Sequence, residues 1–222
     1  MAEKIKIHPI TPHQKRIFEA SDFLKAGNVL VFPTDTQYAI GCLYTNKKGI
    51  DRIREIRRLD NDHLLTLLCD SLSGISKFGQ LSDENFKIIK KLIPGPFTFI
   101  LPATKDLPKL LVHPKRKTVG FRVPDHAICQ KMLEEVGEPI IATTAKHPDF
   151  NGKDKLYLDR QELIDVMSKF VDVIIDDEQD LTMQESTVID LTGEKAVIIR
   201  KGIGYEKVEE VFALFDKDFA SP

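Results

Sequence analysis

The chain has 222 residues, 42% of them apolar and 30% charged, with a formal net charge of −2. That length suits one sizeable α/β domain rather than two small ones, and the balance is that of a globular protein in water. So small a net charge excludes any global argument for nucleic acid or an anionic membrane, and a basic site must be local.

Cys42, Cys69 and Cys129 sit in apolar stretches without CxxC or Cys/His ligand spacing. They read as buried free thiols in a reducing compartment. The N-terminal MAEKIKIHP has no long apolar core, and no run approaches membrane-spanning length. The expectation is a cytoplasmic protein with no membrane contact.

Thr11-Pro12-His13-Gln14 has the form of a capping box with Pro at the first helical position. It predicts a helix carrying Ile17, Ala20, Phe23 and Leu24 inward and stopping at Gly27. Residues 29–43, VLVFPTDTQYAIGCL, predict two strands, Val29–Phe32 and Tyr38–Leu43, because short β-branched and aromatic runs are bounded by turn residues. Pro33 cannot donate to a ladder and holds Phe32 extended, so the strands meet at a polar corner. Two readings of Thr34-Asp35-Thr36 stand: small polar groups facing a ligand, or a turn tied by its own side chains. Residues 46–58 predict a helix capped by Asn46, with Ile50, Ile53 and Ile56 inward. Its other face carries Lys47, Lys48, Arg52, Arg54, Arg57 and Arg58, the pattern of a solvated surface or a polyanion contact.

Leu64–Cys69 reads as a buried strand. Ser82 begins a helix to Ile93 with Phe86, Ile89 and Ile93 inward, ended by Pro94-Gly95-Pro96, and Phe97–Leu101 is extended. HPKRK at 113–117 is a basic loop. Thr118–Val123 is a strand with Arg122 near its end. Pro124 and Asp125 open a helix bearing Ile128, Cys129, Met132 and Val136, closed by Gly137, and Pro139–Thr144 is the next strand. Residues 147–158 read as a loop, Asp159 with Glu162 as the start of a short helix, and Phe170–Ile175 as a strand. Residues 177–185 are polar. Thr187–Leu191 and Ala196–Arg200 predict a hairpin about Thr192-Gly193, and the helix from Tyr205 packs Val208, Val211, Phe212 and Phe215. Helices interleaved with strands, some in hairpins, predict a mixed sheet covered by helices.

Hydroxyls and cations recur at strand ends: Thr34, Arg122, Thr143, Thr144, Lys146, Ser186 and Arg200. Arg offers a bidentate fork and hydroxyls donate without a buried charge, so a convergence of these groups suits phosphate or carboxylate; each Arg alone also fits a surface ion pair. No P-loop, dinucleotide fingerprint or nucleophile elbow is present. Asp60-Asn61-Asp62-His63 reads as a solvated turn and Asp176-Asp177-Glu178 as a solvated loop, so no protein-bound metal is expected.

PTDTQYAIGC at 33–42 resembles the P-T-D-T-x-Y-G-L motif of the YrdC/YciO family of threonylcarbamoyl-AMP synthases and relatives. The similarity continues in order through PGPFTFIL (94–101), GFRVPDH (120–126), PIIATTAK (139–146), STVIDL (186–191) and IIRKGIG (198–204). The resemblance implies an open, twisted, mixed parallel and antiparallel sheet flanked by helices, YrdC/RibB-like, with a basic concave cleft. It implies a single domain over 1–222, with its core at about 12–205 and a closing helix at about 205–216.

The activity it implies is condensation of L-threonine, bicarbonate and ATP to threonylcarbamoyl-AMP and pyrophosphate. Mg²⁺ would accompany ATP, and the product would serve t⁶A modification of tRNA by partner proteins of that pathway. Carried over by position, Thr34, Tyr38, Arg122 and Thr143 would bind substrate. Thr144, Lys146, Ser186 and Arg200 would bind nucleotide or phosphate, with Arg57 and Arg58 as catalytic cations. Such an enzyme positions anions and offsets their charge, with no protein nucleophile.

Against the family's K-x-R-P-x-x-x-P-L segment stands Arg57-Arg58-Leu59-Asp60-Asn61-Asp62-His63-Leu64-Leu65, without the second cation and both prolines. Thr143-Thr144-Ala145-Lys146 stands in the place of T-S-A-N, and Ala39 in the place of a glycine. The pattern is similar to the YciO branch. The alternative function is a non-catalytic protein binding double-stranded RNA or tRNA through the same cleft, with helix 47–58 and the HPKRK loop as its rim.

Overall fold

The computed structural model describes residues 1–60, 63–148, 159–182 and 184–220. Most of the expected 147–158 loop, and Asn61 and Asp62 of the altered segment, lie outside the described residues. In chain order the elements are β1 (Glu3–Lys6), α1 (Gln14–Lys25), β2 (Leu30–Phe32), β3 (Ala39–Leu43), α2 (Lys47–Arg57), β4 (Thr66–Leu68) and α3 (Leu72–Phe78). There follow α4 (Asp83–Leu92), β5 (Phe97–Pro102), β6 (Thr118–Arg122), α5 (Ala127–Val136), β7 (Ile140–Thr144) and α6 (Arg160–Met167). The chain closes with β8 (Val173–Asp176), β9 (Thr187–Asp190), β10 (Ala196–Arg200), α7 (Tyr205–Leu214) and β11 (Phe219–Ala220). Among the described residues no helix is long and apolar enough to cross a membrane.

The chain forms two compact units, Met1–Asn61 with His126–Met183, and Asp62–Asp125 with Gln184–Pro222. Each is a mixed sheet flanked by helices. In the first unit the strand order is β1-β8-β2-β3-β7. The β1/β8 and β8/β2 pairs are parallel, and β2/β3 and β3/β7 are antiparallel. Val31, Ile40, Ile141 and Ile174 are fully buried, as strands covered on both faces require. Packed against α1 is α5. The Asn46 side chain accepts from Gly49 N–H to cap α2, and Asp159 accepts from Glu162 N–H to cap α6. Gly137 ends α5 at φ 69°, a left-handed conformation that glycine takes without a Cβ penalty.

The second unit has the order β4-β6-β5-β9-β10-β11. Here β4/β6, β5/β9 and β10/β11 are parallel, while β5/β6 and β9/β10 are antiparallel. Phe97, Phe99, Phe121 and Phe212 fill its core, and α4 packs against α7.

Several expectations are corrected. The first helix has His13 at its N-cap position, two residues later than the Thr11 box implies and without a side-chain capping bond. Thr11 instead joins the turn around His8, whose Nδ1 accepts from Thr11 N–H at 3.1 Å. On α4 the inward face is Ile88, Ile89 and Leu92, and Phe86 is 41% exposed. The strand expected from Phe170 starts at Val173, because Phe170 and Val171 still donate to Met167 at the end of α6. Asp176-Asp177 is no solvated loop: both carboxylates are buried. Among the elements that went unpredicted are β1, β11 and α3, where Gly74 obscures the helical pattern of a segment capped by Ser71.

Candidate functional site

In the first unit the corner between β2 and β3 holds Thr34 and Tyr38. The Thr34 hydroxyl donates to Gln37 O at 2.6 Å. Its oxygen accepts the Thr36 N–H at 3.1 Å and faces the Thr36 hydroxyl at 3.2 Å. One donor and two lone pairs are the whole capacity of a hydroxyl. Thr34 therefore ties the turn with its side-chain hydroxyl, whose bonding capacity is filled within the turn.

The corner also walls an open cavity of about 210 Å³, together with Pro9, Tyr38, His126, Asp177 and Gln179 among others. Tyr38, 5% exposed, donates to Asp177 Oδ1 at 2.5 Å, and His126 Nε2 lies 3.6 Å from Asp177 Oδ2. Burial, with the Asp177 carboxylate beside it, pushes the Tyr38 phenol far up. Burial alone would raise the Asp177 carboxyl, but His126, the Tyr38 hydroxyl and the Gln179 N–H favour its ionised form and hold it below its ordinary value of 3.8. Asp177 and His126 are site residues that sequence reasoning missed. The available signal was Tyr38 itself, a phenol in an apolar run that needs a polar partner when buried.

Arg57 meets the backbone at the end of β7, the segment that carries Thr143, Thr144 and Lys146, in the same unit. On β7, Thr143 stands opposite Ile40 and Thr144 opposite Ala39. Arg57 Nε donates to Thr144 O at 2.8 Å, and so does the Lys146 N–H. The backbone of the β7 end is pinned to the corner by the Ala145 N–H donating to Tyr38 O at 2.8 Å. Arg58 is exposed and ends α2 in a left-handed conformation at φ 49°. The basic face of α2 is largely engaged within the chain. Arg52 holds both oxygens of Asp172 as well as Phe170 O, and Arg54 donates to Asp60 O.

In the second unit Ser186 and Arg200 form one cluster with Glu185 and Thr98. Arg200 Nε donates to Ser186 O at 2.9 Å, Nη1 to Glu185 Oε2 at 2.7 Å, and Nη2 to Ser186 Oγ at 3.0 Å. The Ser186 hydroxyl also pairs with Thr98 Oγ1 at 3.0 Å, a buried contact. A guanidinium carries five N–H groups, so one N–H on each terminal nitrogen remains for a ligand. Behind the cluster Gly202 has no room for a side chain: a Cβ there would lie 2.2 Å from Glu185 O. The third residue carried over to this unit, Arg122, is 8% exposed at the end of β6 opposite Leu68, and its carbonyl accepts from Cys69 N–H. The register that pairs Phe99 with Phe121 sets Thr98 and Arg122 at the same end of their strands. Glu185 and Thr98 were also missed; a carboxylate adjoining a phosphate-type serine was the only clue.

Among the described residues no group of three or more His, Cys, Asp or Glu side chains is placed to hold a metal ion. The three cysteines are buried thiols that form no disulfide, and burial pushes the Cys42 thiol up to about 12.

Residues 22–202 match the family model Sua5_yciO_yrdC, described as telomere recombination. The YciO protein of Escherichia coli K12, itself described as uncharacterized, is 39% identical over 92% of this chain and 97% of its own length. The crystal structure of E. coli YciO matches with a TM-score of 0.86 at 38% identity, covering 94% of this chain and 99% of that one. Sua5 of Pyrococcus abyssi, solved in complex with L-threonine, matches with a TM-score of 0.83 at 26% identity, over 97% of this chain and 62% of that one. A protein of P. abyssi named threonylcarbamoyl-AMP synthase is 29% identical over 86% of this chain and 56% of its own length.

Proposed function

Because the chain belongs to the Sua5/YciO/YrdC family, we propose that it is a nucleotide-dependent enzyme of the threonylcarbamoyl-AMP synthase type, acting on L-threonine, bicarbonate and ATP. The observation that carries this reading is the likeness of nearly the whole chain to a Sua5 solved with L-threonine. The reaction joins the threonine amino nitrogen to the bicarbonate carbon with loss of water, and an oxygen of the resulting carbamate then attacks the α-phosphorus of ATP, breaking its bond to the β-phosphate and releasing pyrophosphate. Its demands are anion placement and charge compensation rather than covalent catalysis by the protein. In this reading Arg200 donates its two remaining N–H groups to phosphate, and Ser186 holds the guanidinium in plane. Tyr38, Thr34 and Thr143 belong to the amino-acid side, with Arg122 toward the carboxylate. Thr144 and Lys146 face the nucleotide, and Arg57 and Arg58 supply positive charge. ATP would arrive as its Mg²⁺ complex, with the ion held by phosphate oxygens and the product serving tRNA modification.

Leu59, where the synthases carry an arginine, lowers the expected rate. An electrostatic group lost from a transition state is worth about 2–4 kcal/mol, so activity near a hundredth of a full synthase fits. Binding of double-stranded RNA or tRNA has weaker support, since Arg52, Arg54 and Arg57 are engaged within the chain. Purified protein incubated with ATP, threonine and bicarbonate should release pyrophosphate only when all three are present. Pyrophosphate release indifferent to threonine, or none at all, would sink the synthase reading.

A further inference from the structure

We propose that Glu185 sets the anion affinity of the Arg200 fork, acting as a built-in carboxylate that shares the guanidinium with a ligand's phosphate. The proposal rests on the reading of Arg200 as a phosphate contact, and it assigns to Glu185 a role separate from that of Ser186.

The division of labour follows from the bonds. Ser186 alone supplies two of the three contacts to Arg200, one from its carbonyl to Nε and one from its hydroxyl to Nη2. Those two bonds fix the plane of the guanidinium, and Thr98 in turn holds the Ser186 hydroxyl. Glu185 adds one bond, to Nη1 at 2.7 Å, and a full negative charge. Orientation therefore survives a change at Glu185, whereas the charge balance does not. With Glu185 ionised the pair is neutral overall, and an approaching phosphate meets a carboxylate beside the N–H groups it would accept from.

Glu185 is also held in place by its backbone. Its carbonyl accepts from Ile203 N–H at 2.9 Å, and Gly202 packs so closely that a Cβ would touch it. The side chains are partly open to water, at 40% exposure for Arg200 and 28% for Glu185, which moderates the effect without removing it. The carboxylate repels an anion in proportion to the anion's charge, so its effect is larger for pyrophosphate or a nucleoside triphosphate than for a singly charged anion.

The test is direct titration of wild type, E185Q, E185A and R200A with pyrophosphate and with ATP at fixed ionic strength. Gln keeps an acceptor for Nη1 and removes the charge. Taking a unit charge from about 5–6 Å of a phosphate in a partly solvated site should tighten pyrophosphate binding about three- to tenfold. E185A should tighten it as well, and R200A should weaken it at least tenfold. An unchanged or weaker affinity in E185Q would overturn the proposal, as would the absence of pyrophosphate binding in both wild type and E185Q. Turnover is not part of the readout. A protein that binds pyrophosphate more tightly as E185Q yet makes no carbamoyl-adenylate would refute the synthase reading and leave this inference standing.

Discussion

Replacing Tyr38 by Phe removes one hydroxyl from a buried polar contact of the first unit and leaves the ring in place. In the wild type that hydroxyl donates to Asp177 Oδ1 at 2.5 Å, across 139 positions of sequence. A hydrogen bond to an ionised partner is worth about 1.5–3 kcal/mol, and its loss leaves a buried carboxylate with fewer donors. Gln179 N–H at 3.2 Å and His126 remain, so the expected loss is about 2 kcal/mol at pH 7. With a urea slope of about 2–3 kcal/mol per molar, the midpoint should fall by about 0.7–1 M with no change in slope.

The pH dependence has a definite sign. Asp177 is held below its ordinary value of 3.8 in the folded chain, so the unfolded state binds more protons near that pH. The stability from this lowering is present above about pH 4 and is lost as pH falls through the folded-state value. Tyr38→Phe takes away one of the groups that lowers it. The deficit of the variant should therefore be full at pH 7 and shrink on going to pH 3. Urea titrations followed by far-UV circular dichroism at both pH values measure it. A midpoint shift under 0.2 M at pH 7, or a deficit that grows in acid, would refute the reasoning.

Two further substitutions probe the proposed chemistry. Leu59→Arg restores the cation missing from the altered segment and should raise carbamoyl-adenylate formation about tenfold or more, measured as initial pyrophosphate release; an equal or lower rate would show that the segment does not act there. Gly202→Ala places a methyl group 2.2 Å from Glu185 O and 2.5 Å from Ser186 C, backbone atoms that no side-chain rotation can move. It should cost about 2–3 kcal/mol in stability, read by thermal melting, and weaken pyrophosphate binding with it.

What the sequence disclosed about the fold was mainly what depends on near neighbours. Helix α2 with its Asn46 cap, the β9–β10 hairpin and the Gly137 stop are set by residues a few positions apart, and they lie where the pattern put them. The mixed sheet flanked by helices was legible for the same reason. Long-range burial was not. Asp176 and Asp177 look like solvent-facing residues by composition, and only the fold brings Arg160 to one and Tyr38 to the other. The start of α1 was misplaced because a local turn, in which the His8 ring accepts from the Ile10 and Thr11 N–H groups, takes the Thr11 N–H that a capping box would have used.

At the site, the order of motifs identified the family, and the structure then divided the work among the residues. Thr34 and Thr36 bind each other and Gln37, which makes the turn reading of the corner correct for their hydroxyls. The cavity that the same corner walls keeps a ligand-facing role open to its backbone. Arg200 and Ser186, which the structure brings into one cluster, were legible as candidate residues. Glu185 was not, because a single carboxylate in a polar stretch has no pattern until its partner is known.

The most direct measurement follows ¹³C from labelled bicarbonate. With ATP and L-threonine present, the account predicts that the label appears in an adenylate of threonine detected by mass spectrometry, in step with pyrophosphate, and disappears when threonine is omitted or in R200A. Label confined to bicarbonate while the same protein binds ATP and threonine would contradict it.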